Sequence, residues 1–218
     1  MADANKDLNS SEKNGVLLYE ENEGVATITI NRPDAKNSLN EEAIDKFVGL
    51  LQRIGDSPEI KVAIIKSTGD RVFCAGLDLK WLKSLGEQAL SVIDEKATKL
   101  TKALINCPKI IISQVQGPAV GWGTMIFLNT DFRIVADSDN VFFQLPEVDV
   151  GYPAISGAAL LPVMHLGLEK AKRMLILREK VKIDFMKEII IKNVPKENLD
   201  EETLSFAKSL ANHPNAQL

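Results

Sequence analysis

The sequence predicts an α/β fold with a mostly parallel central sheet and a helical C-terminal region. Three observations carry this expectation. Short β-branched runs at 25–30, 62–65 and 110–112 alternate with longer segments of helical periodicity, and strands that alternate with helices build parallel sheets. The runs at 62–65 and 110–112 are apolar throughout, as buried strands are. Beyond about Pro153, helical segments dominate.

Element by element, 16–19 and 25–30 read as two strands around a polar turn, and Asn31-Arg32-Pro33 stops the second, because proline cannot extend a ladder. Asn40 is a good N-cap, with Glu41 and Glu42 in the positive first turn. Ala43, Ile44, Phe47, Val48, Leu51 and Ile54 then recur at helical spacing. The strand at 62–65 ends at Thr68-Gly69, and a turn leads to a helix carrying Trp81 and Leu82. A long helix spans 89–105 until Pro108 breaks the pattern, and 110–112 opens the next buried strand. The glycine turn 117–123 enters a buried helix at 124–128. Further strands follow at 132–135 and 141–143, then helices around 158–164, 168–177 and 200–210.

Composition narrows the function. The 218 residues are 45% hydrophobic and 26% charged, which excludes a wholly disordered chain, a collagen and a disulfide scaffold. The net charge of −4 supplies no excess of cations to displace counterions from nucleic acid. Cys74 and Cys107 form no CxxC pair, and only His165 and His213 accompany them, so a zinc site is not expected. Unpaired thiols fit a reducing, cytoplasmic setting. No run approaches 18 apolar residues, so no membrane span is expected. Residues 1–14 are rich in Asn, Ser, Lys and Asp, read as a disordered tail, and lack the apolar stretch of a secretory signal.

The chemistry-bearing residues lie in turns. Phe73-Cys74-Ala75-Gly76-Leu77-Asp78 and Gly117 to Gly123 both lead from a strand into a helix. The carboxyl ends of parallel strands share one edge, so these turns can meet there. Free N–H groups at helix N-termini face anions and developing negative charge, and two that converge on one oxygen make an oxyanion hole. Neither spacing fits a dinucleotide fingerprint or a P-loop. Glu147 and Asp149 sit among apolar residues after a strand, where a raised pKa would make a carboxyl a usable base. Cys74 lacks a histidine partner as nucleophile, and His165 lies in an apolar helical stretch.

Four segments in this order resemble the crotonase superfamily, the enoyl-CoA hydratase/isomerase family. They are Ile28-Thr29-Ile30-Asn31-Arg32-Pro33 with Asn37-Ser38-Leu39; Phe73 to Leu79; Gln116-Gly117-Pro118-Ala119-Val120-Gly121 with Asp131; and Leu145-Pro146-Glu147 with Gly151. The resemblance implies a spiral of stacked ββα turns with a helical C-terminal region, shortened here. It divides the chain into a tail (1–14), a core carrying the coenzyme A and oxyanion turns (15–150) and a helical C-terminal region (151–218). It implies an acyl-CoA thioester as substrate, no separate cofactor and a homotrimer or hexamer.

The resemblance also assigns roles. The main-chain N–H groups of Leu77 and Trp122 would hold the thioester oxygen. Ala75, Gly76, Asp78 and Gly121 would line the substrate, and Lys36 would approach the coenzyme A phosphates. The family's hydratases use two glutamates. Here the first position holds Met125, which cannot move a proton, and the second is Glu147. A single carboxyl suits the shift of a double bond from 3-enoyl-CoA to 2-enoyl-CoA better than addition of water. Tyr152 and Asp149 are further candidates beside it. A hydratase, a hydrolase, a decarboxylase or an inactive acyl-CoA-binding subunit are the alternatives on this scaffold.

Overall fold

A computed structural model describes residues 14–153 and 157–213; all but the last residue of the expected tail lies outside them. The elements in chain order are β1 (Leu17–Asn22), β2 (Val25–Ile30), α1 (Glu41–Asp56), β3 (Val62–Ser67), α2 (Leu79–Ser84), α3 (Ala89–Ile105), β4 (Ile110–Val115), β5 (Ala119–Val120), α4 (Trp122–Asn129), β6 (Phe132–Asp137), β7 (Phe143–Gln144), α5 (Leu160–Leu166), α6 (Leu168–Leu175), α7 (Ile183–Met186), β8 (Lys192–Pro195) and α8 (Leu199–Ala211).

Six strands form one sheet in the order β1-β2-β3-β4-β6-β8, and β5 pairs with β7 in a smaller one. Of the strand pairs only the β1–β2 hairpin is antiparallel and the others are parallel, while an isolated antiparallel bridge joins Phe143 to Val181. The hairpin turns at Glu23 and Gly24, both at positive φ (49° and 78°), as a two-residue hairpin turn demands. Alternate residues face opposite layers. Ala26, Ile28, Ala63, Ile65 and Ile111 join the larger core under α1 and α3, while Val25, Val62, Ile64, Ile110 and Ile112 join a second core with Leu199 and Ala207 of α8. The Asn40 side chain accepts from the Ala43 amide at 3.1 Å and caps α1 as expected.

The C-terminal part differs from expectation. It is not helical throughout, because residues 192–195 form an edge strand beside β6. The sequence Lys-Asn-Val-Pro has little strand character of its own, and pairing with the β6 edge imposes it. The strand expected at 141–143 shrinks to β7, and the helix expected at 168–177 ends at Leu175, leaving Ile176 and Leu177 exposed.

Arg133 of β6 closes the C-terminal end of α4. Its guanidinium is buried and donates to the carbonyls of Phe127 (2.8 Å), Leu128 (3.1 Å) and Thr130 (2.5 Å). These are helix-end acceptors without intrahelical partners. Arg133→Ala is expected to cost about 1–3 kcal/mol of stability, since it strands the Thr130 carbonyl, whereas Phe127 O keeps the Thr130 hydroxyl at 3.0 Å and Leu128 O keeps His165. A denaturant titration with a midpoint near wild type would contradict this.

Candidate active site

The first glycine turn is held as a short parallel bridge. Leu39 N–H donates to Gly76 O at 2.8 Å, and Asp78 N–H donates to Leu39 O at 2.9 Å. The Leu77 amide between them has no acceptor among the described residues. The second turn lies alongside: Val120 N–H donates to Cys74 O at 2.9 Å, and Gly121 N–H to Gln144 O at 2.8 Å. Helix α4 then begins at Trp122, whose amide is one of the orphan donors of a first helical turn.

The two turns meet at glycines. Gly76 has φ +89°, and a Cβ there would stand 2.8 Å from Val120 O and 3.2 Å from Trp122 N. Only glycine allows both the left-handed backbone and that approach. The Trp122 amide therefore lies beside the peptide that carries the Leu77 amide.

Glu147 completes the third side. A Cβ on Gly121 would stand 3.3 Å from Glu147 Oε1, which places the carboxyl against the second turn. Glu147 opens a short 3-10 helix (Glu147–Val150) that ends at Gly151 with φ 79°. Its Oε2 is buried without a hydrogen-bond partner. Burial raises the carboxyl's pKa, offset in part by a bond from its own amide. A carboxyl of this kind accepts a proton more readily than one in water.

These groups border a cavity of about 170 Å³. Of the sequence-predicted residues, Ala75, Gly76, Leu77, Gly121, Trp122 and Glu147 line it, and so does Tyr152. Among the described lining residues Glu147 is the only carboxylate. Met125 is fully buried in the core and does not reach the cavity.

Three candidates lie elsewhere. Lys36 is exposed and borders a separate groove with Asp34 and Arg71, although its carbonyl accepts from the Ala75 amide at 3.1 Å. Asp78 turns away from the cavity. It pairs with Arg32 at 2.8 Å and caps α2 by accepting from the amides of Lys80 and Trp81. Burial opposes its charge, but Arg32 and those amides outweigh it and hold the carboxyl below its usual range. Asp149 forms an exposed ion pair with Arg178. Glu147 and Asp149 are two residues apart in a helix of three residues per turn, so they face different ways.

Cys74 is fully buried, and burial pushes its thiol up to about 12, which removes it as a nucleophile. His165 is half-buried in α5 outside the cavity; burial and the nearby Arg133 charge lower its pKa. Leu82, Ile93 and Ala158 also line the cavity, and sequence reasoning missed them. A buried apolar residue facing a cavity has the same sequence signature as one facing the core.

Comparison with known proteins identifies the family. The family model described as enoyl-CoA hydratase/isomerase matches residues 20–218. A crotonyl-CoA hydratase of Syntrophomonas wolfei is 30% identical over 169 residues, covering 77% of this chain and 64% of that protein. The match thus spans just under two thirds of that relative's length. A short-chain-enoyl-CoA hydratase of Clostridium acetobutylicum is 30% identical over 202 residues, covering 92% of this chain and 75% of that protein. The solved structure of an enoyl-CoA hydratase from Geobacillus kaustophilus has a TM-score of 0.85 at 25% identity, covering 93% of this chain and 77% of that one. No helix among the described residues is long and apolar enough to cross a membrane. With its fold, its paired glycine turns and a family match over nearly its whole length, this chain belongs to the enoyl-CoA hydratase/isomerase family.

Proposed function

We propose that this chain is an acyl-CoA enzyme that converts a 3-enoyl-CoA to the 2-enoyl-CoA with one carboxyl as proton shuttle. The observation that carries the proposal is Glu147, the single carboxylate among the described lining residues, set against two glycine turns in a mostly apolar cavity. The thioester oxygen accepts from the main-chain N–H groups of Leu77 and Trp122. Glu147 takes a proton from C2, and the electron pair spreads over C2 to C4 and onto that oxygen. The same carboxyl returns the proton at C4, so the double bond moves and the atoms balance. Each donor of such a hole is worth roughly 10²–10³ in rate, and a positioned base roughly 10²–10⁴. Gly76 and Gly121 let the turns close on the thioester, and Ala75 lines its approach. Lys36 and Asp78 would contribute at the coenzyme A end, beyond the cavity. No separate cofactor is required, because coenzyme A arrives as part of the substrate.

Hydration is the second reading, favoured by the names of the relatives. It needs one group to deprotonate water and another to protonate carbon, and the position of the family's other glutamate holds Met125. Incubation with 3-enoyl-CoA and, separately, 2-enoyl-CoA in ¹⁸O-water separates the two. Isomerisation leaves the product free of solvent oxygen. Incorporation of ¹⁸O points to hydration or thioester hydrolysis, and coenzyme A binding without turnover points to an inactive subunit.

The pH profile follows from the raised carboxyl. Glu147 works as a base only when ionised, so kcat/KM is expected to fall with decreasing pH along a limb set above the usual glutamate value of about 4.3. An acid limb at or below that value would contradict the assignment.

A homotrimer or hexamer belongs to the same proposal. Leu160 and Met164 of α5 and Leu168 of α6 are spaced four apart and more than half exposed, a grouping typical of contact surfaces. Native mass spectrometry is expected to give three or six subunits; a monomer at micromolar concentration would contradict it. Two unpaired cysteines agree with a reducing, cytoplasmic setting.

A further inference from the structure

We take the cavity to have its reactive end at Glu147 and a blind end at its buried apolar wall. That wall includes Leu82 of α2, Ile93 of α3, Trp122 and Ala158, exposed by only 4%, 3%, 5% and 4%. All four belong to the larger hydrophobic core, continuous with the fully buried Phe127 and Leu128. Where the wall is packed core, a longer guest must displace core side chains. The volume of about 170 Å³ is close to that of an engineered cavity of about 150 Å³ that holds one benzene, six carbons in all.

From this geometry we infer that the site selects short acyl chains of about four to six carbons, with Ile93 and Ala158 setting the limit. The inference rests on the proposal that acyl-CoA thioesters enter this cavity, and it adds which of them do. Carbons 1 to 4 must lie between the two amides and Glu147 for the proton to travel from C2 to C4. The remaining space then holds about two more carbons before the chain meets Ile93. Up to that point each methylene leaves water for an apolar wall, worth about fourfold in affinity. Beyond it, each added methylene must remain in solvent or force the core apart.

Calorimetric binding of saturated acyl-CoAs tests the limit without relying on turnover. The probes are free coenzyme A and its acetyl, butyryl, hexanoyl, octanoyl and dodecanoyl thioesters. Affinity is expected to climb about fourfold per methylene to hexanoyl-CoA and then to level or fall. Ile93→Ala removes three carbons from the blind end and is expected to move the break outward by about two carbons, because such cavities relax only in part. Ala158→Leu adds three carbons and is expected to move it inward, so that hexanoyl-CoA binds no better than acetyl-CoA. Free coenzyme A is expected to bind all three proteins alike, which checks that the variants are folded. Affinity that climbs without a break to dodecanoyl-CoA, or a break that neither variant moves, would overturn the inference. A break at hexanoyl-CoA in a protein that does not isomerise 3-enoyl-CoA would leave the size limit standing and overturn the proposed reaction. Failure of every thioester to bind better than free coenzyme A would overturn both.

Discussion

Glu147→Gln is expected to lower kcat/KM on a 3-enoyl-CoA by about 10²–10⁴ while making the protein more stable at pH 7. The loss of activity follows from the chemistry, because an amide has the shape of the carboxyl but cannot hold the abstracted proton. The gain in stability follows from burial. Glu147 has a raised pKa in the folded state, with desolvation the main cause. The folded protein therefore binds this proton more tightly than the unfolded chain does. The associated stability is complete below the unfolded pKa and is lost as pH rises through the folded one. At pH 7 the ionised group is a net cost, and its Oε2 has no partner to offset it. The amide leaves a polar atom at that place but removes the charge, and unpartnered charged groups cost more than neutral ones; the difference is worth about 1 kcal/mol, or about 2–4 °C in Tm for a chain of this size. Thermal melts at pH 7 and pH 4 check the sign: the advantage of the variant should shrink at the lower pH. Unchanged turnover, or a variant less stable at both pH values, would refute the role given to this residue.

Gly76→Ala is expected to reduce kcat/KM by about 10²–10³, comparable to the loss of one oxyanion donor. The new Cβ would stand 2.8 Å from Val120 O and 3.2 Å from Trp122 N, at a backbone φ of +89°. Val120 O is backbone and cannot swing aside, so the two turns must part. The Leu77 and Trp122 amides, the proposed oxyanion donors, are then expected to move apart. Gly86→Ala is the matched control. Gly86 also has positive φ (+56°), but a Cβ there meets nothing within 4 Å. It should cost about 1–2 kcal/mol of stability through the backbone alone and leave kcat/KM within a few-fold of wild type. Equal effects of the two substitutions on kcat/KM would show that closure of the turns is not what matters at Gly76.

Much of the fold was legible because local pattern and tertiary role agree. The Asn40 cap, the apolar spacing from Ala43 to Ile54 and the β-branched run of β3 each fix their element without outside help. The edge strand β8 was not legible, since its extended form comes from pairing with β6. The core of the site was legible for a similar reason. The glycine turns and the pair Glu147 and Asp149 are local signals, while the choice of Glu147 and the roles of Gly76 and Gly121 come from the family resemblance; the structure brings these three residues to one cavity. Lys36 and Asp78 stand next to the right segments in sequence but face other partners, because side-chain direction is set by Arg32 and by the turn rather than by spacing. Ile93 and Ala158 carry no mark that distinguishes a cavity wall from the core behind it.

The most direct measurement follows a deuterium label from C2 of a 3-enoyl-CoA into the product. A carboxylic acid carries one proton, so the atom Glu147 removes is the atom it returns unless water exchanges it first. Oε2 is buried, so that exchange is expected to be slow. Wild-type protein is expected to give 2-enoyl-CoA with a substantial share of the C2 deuterium at C4, and Glu147→Gln should lose both the transfer and the turnover. A product carrying only solvent hydrogen at C4, formed as fast by Glu147→Gln as by wild type, would contradict a single-carboxyl shuttle.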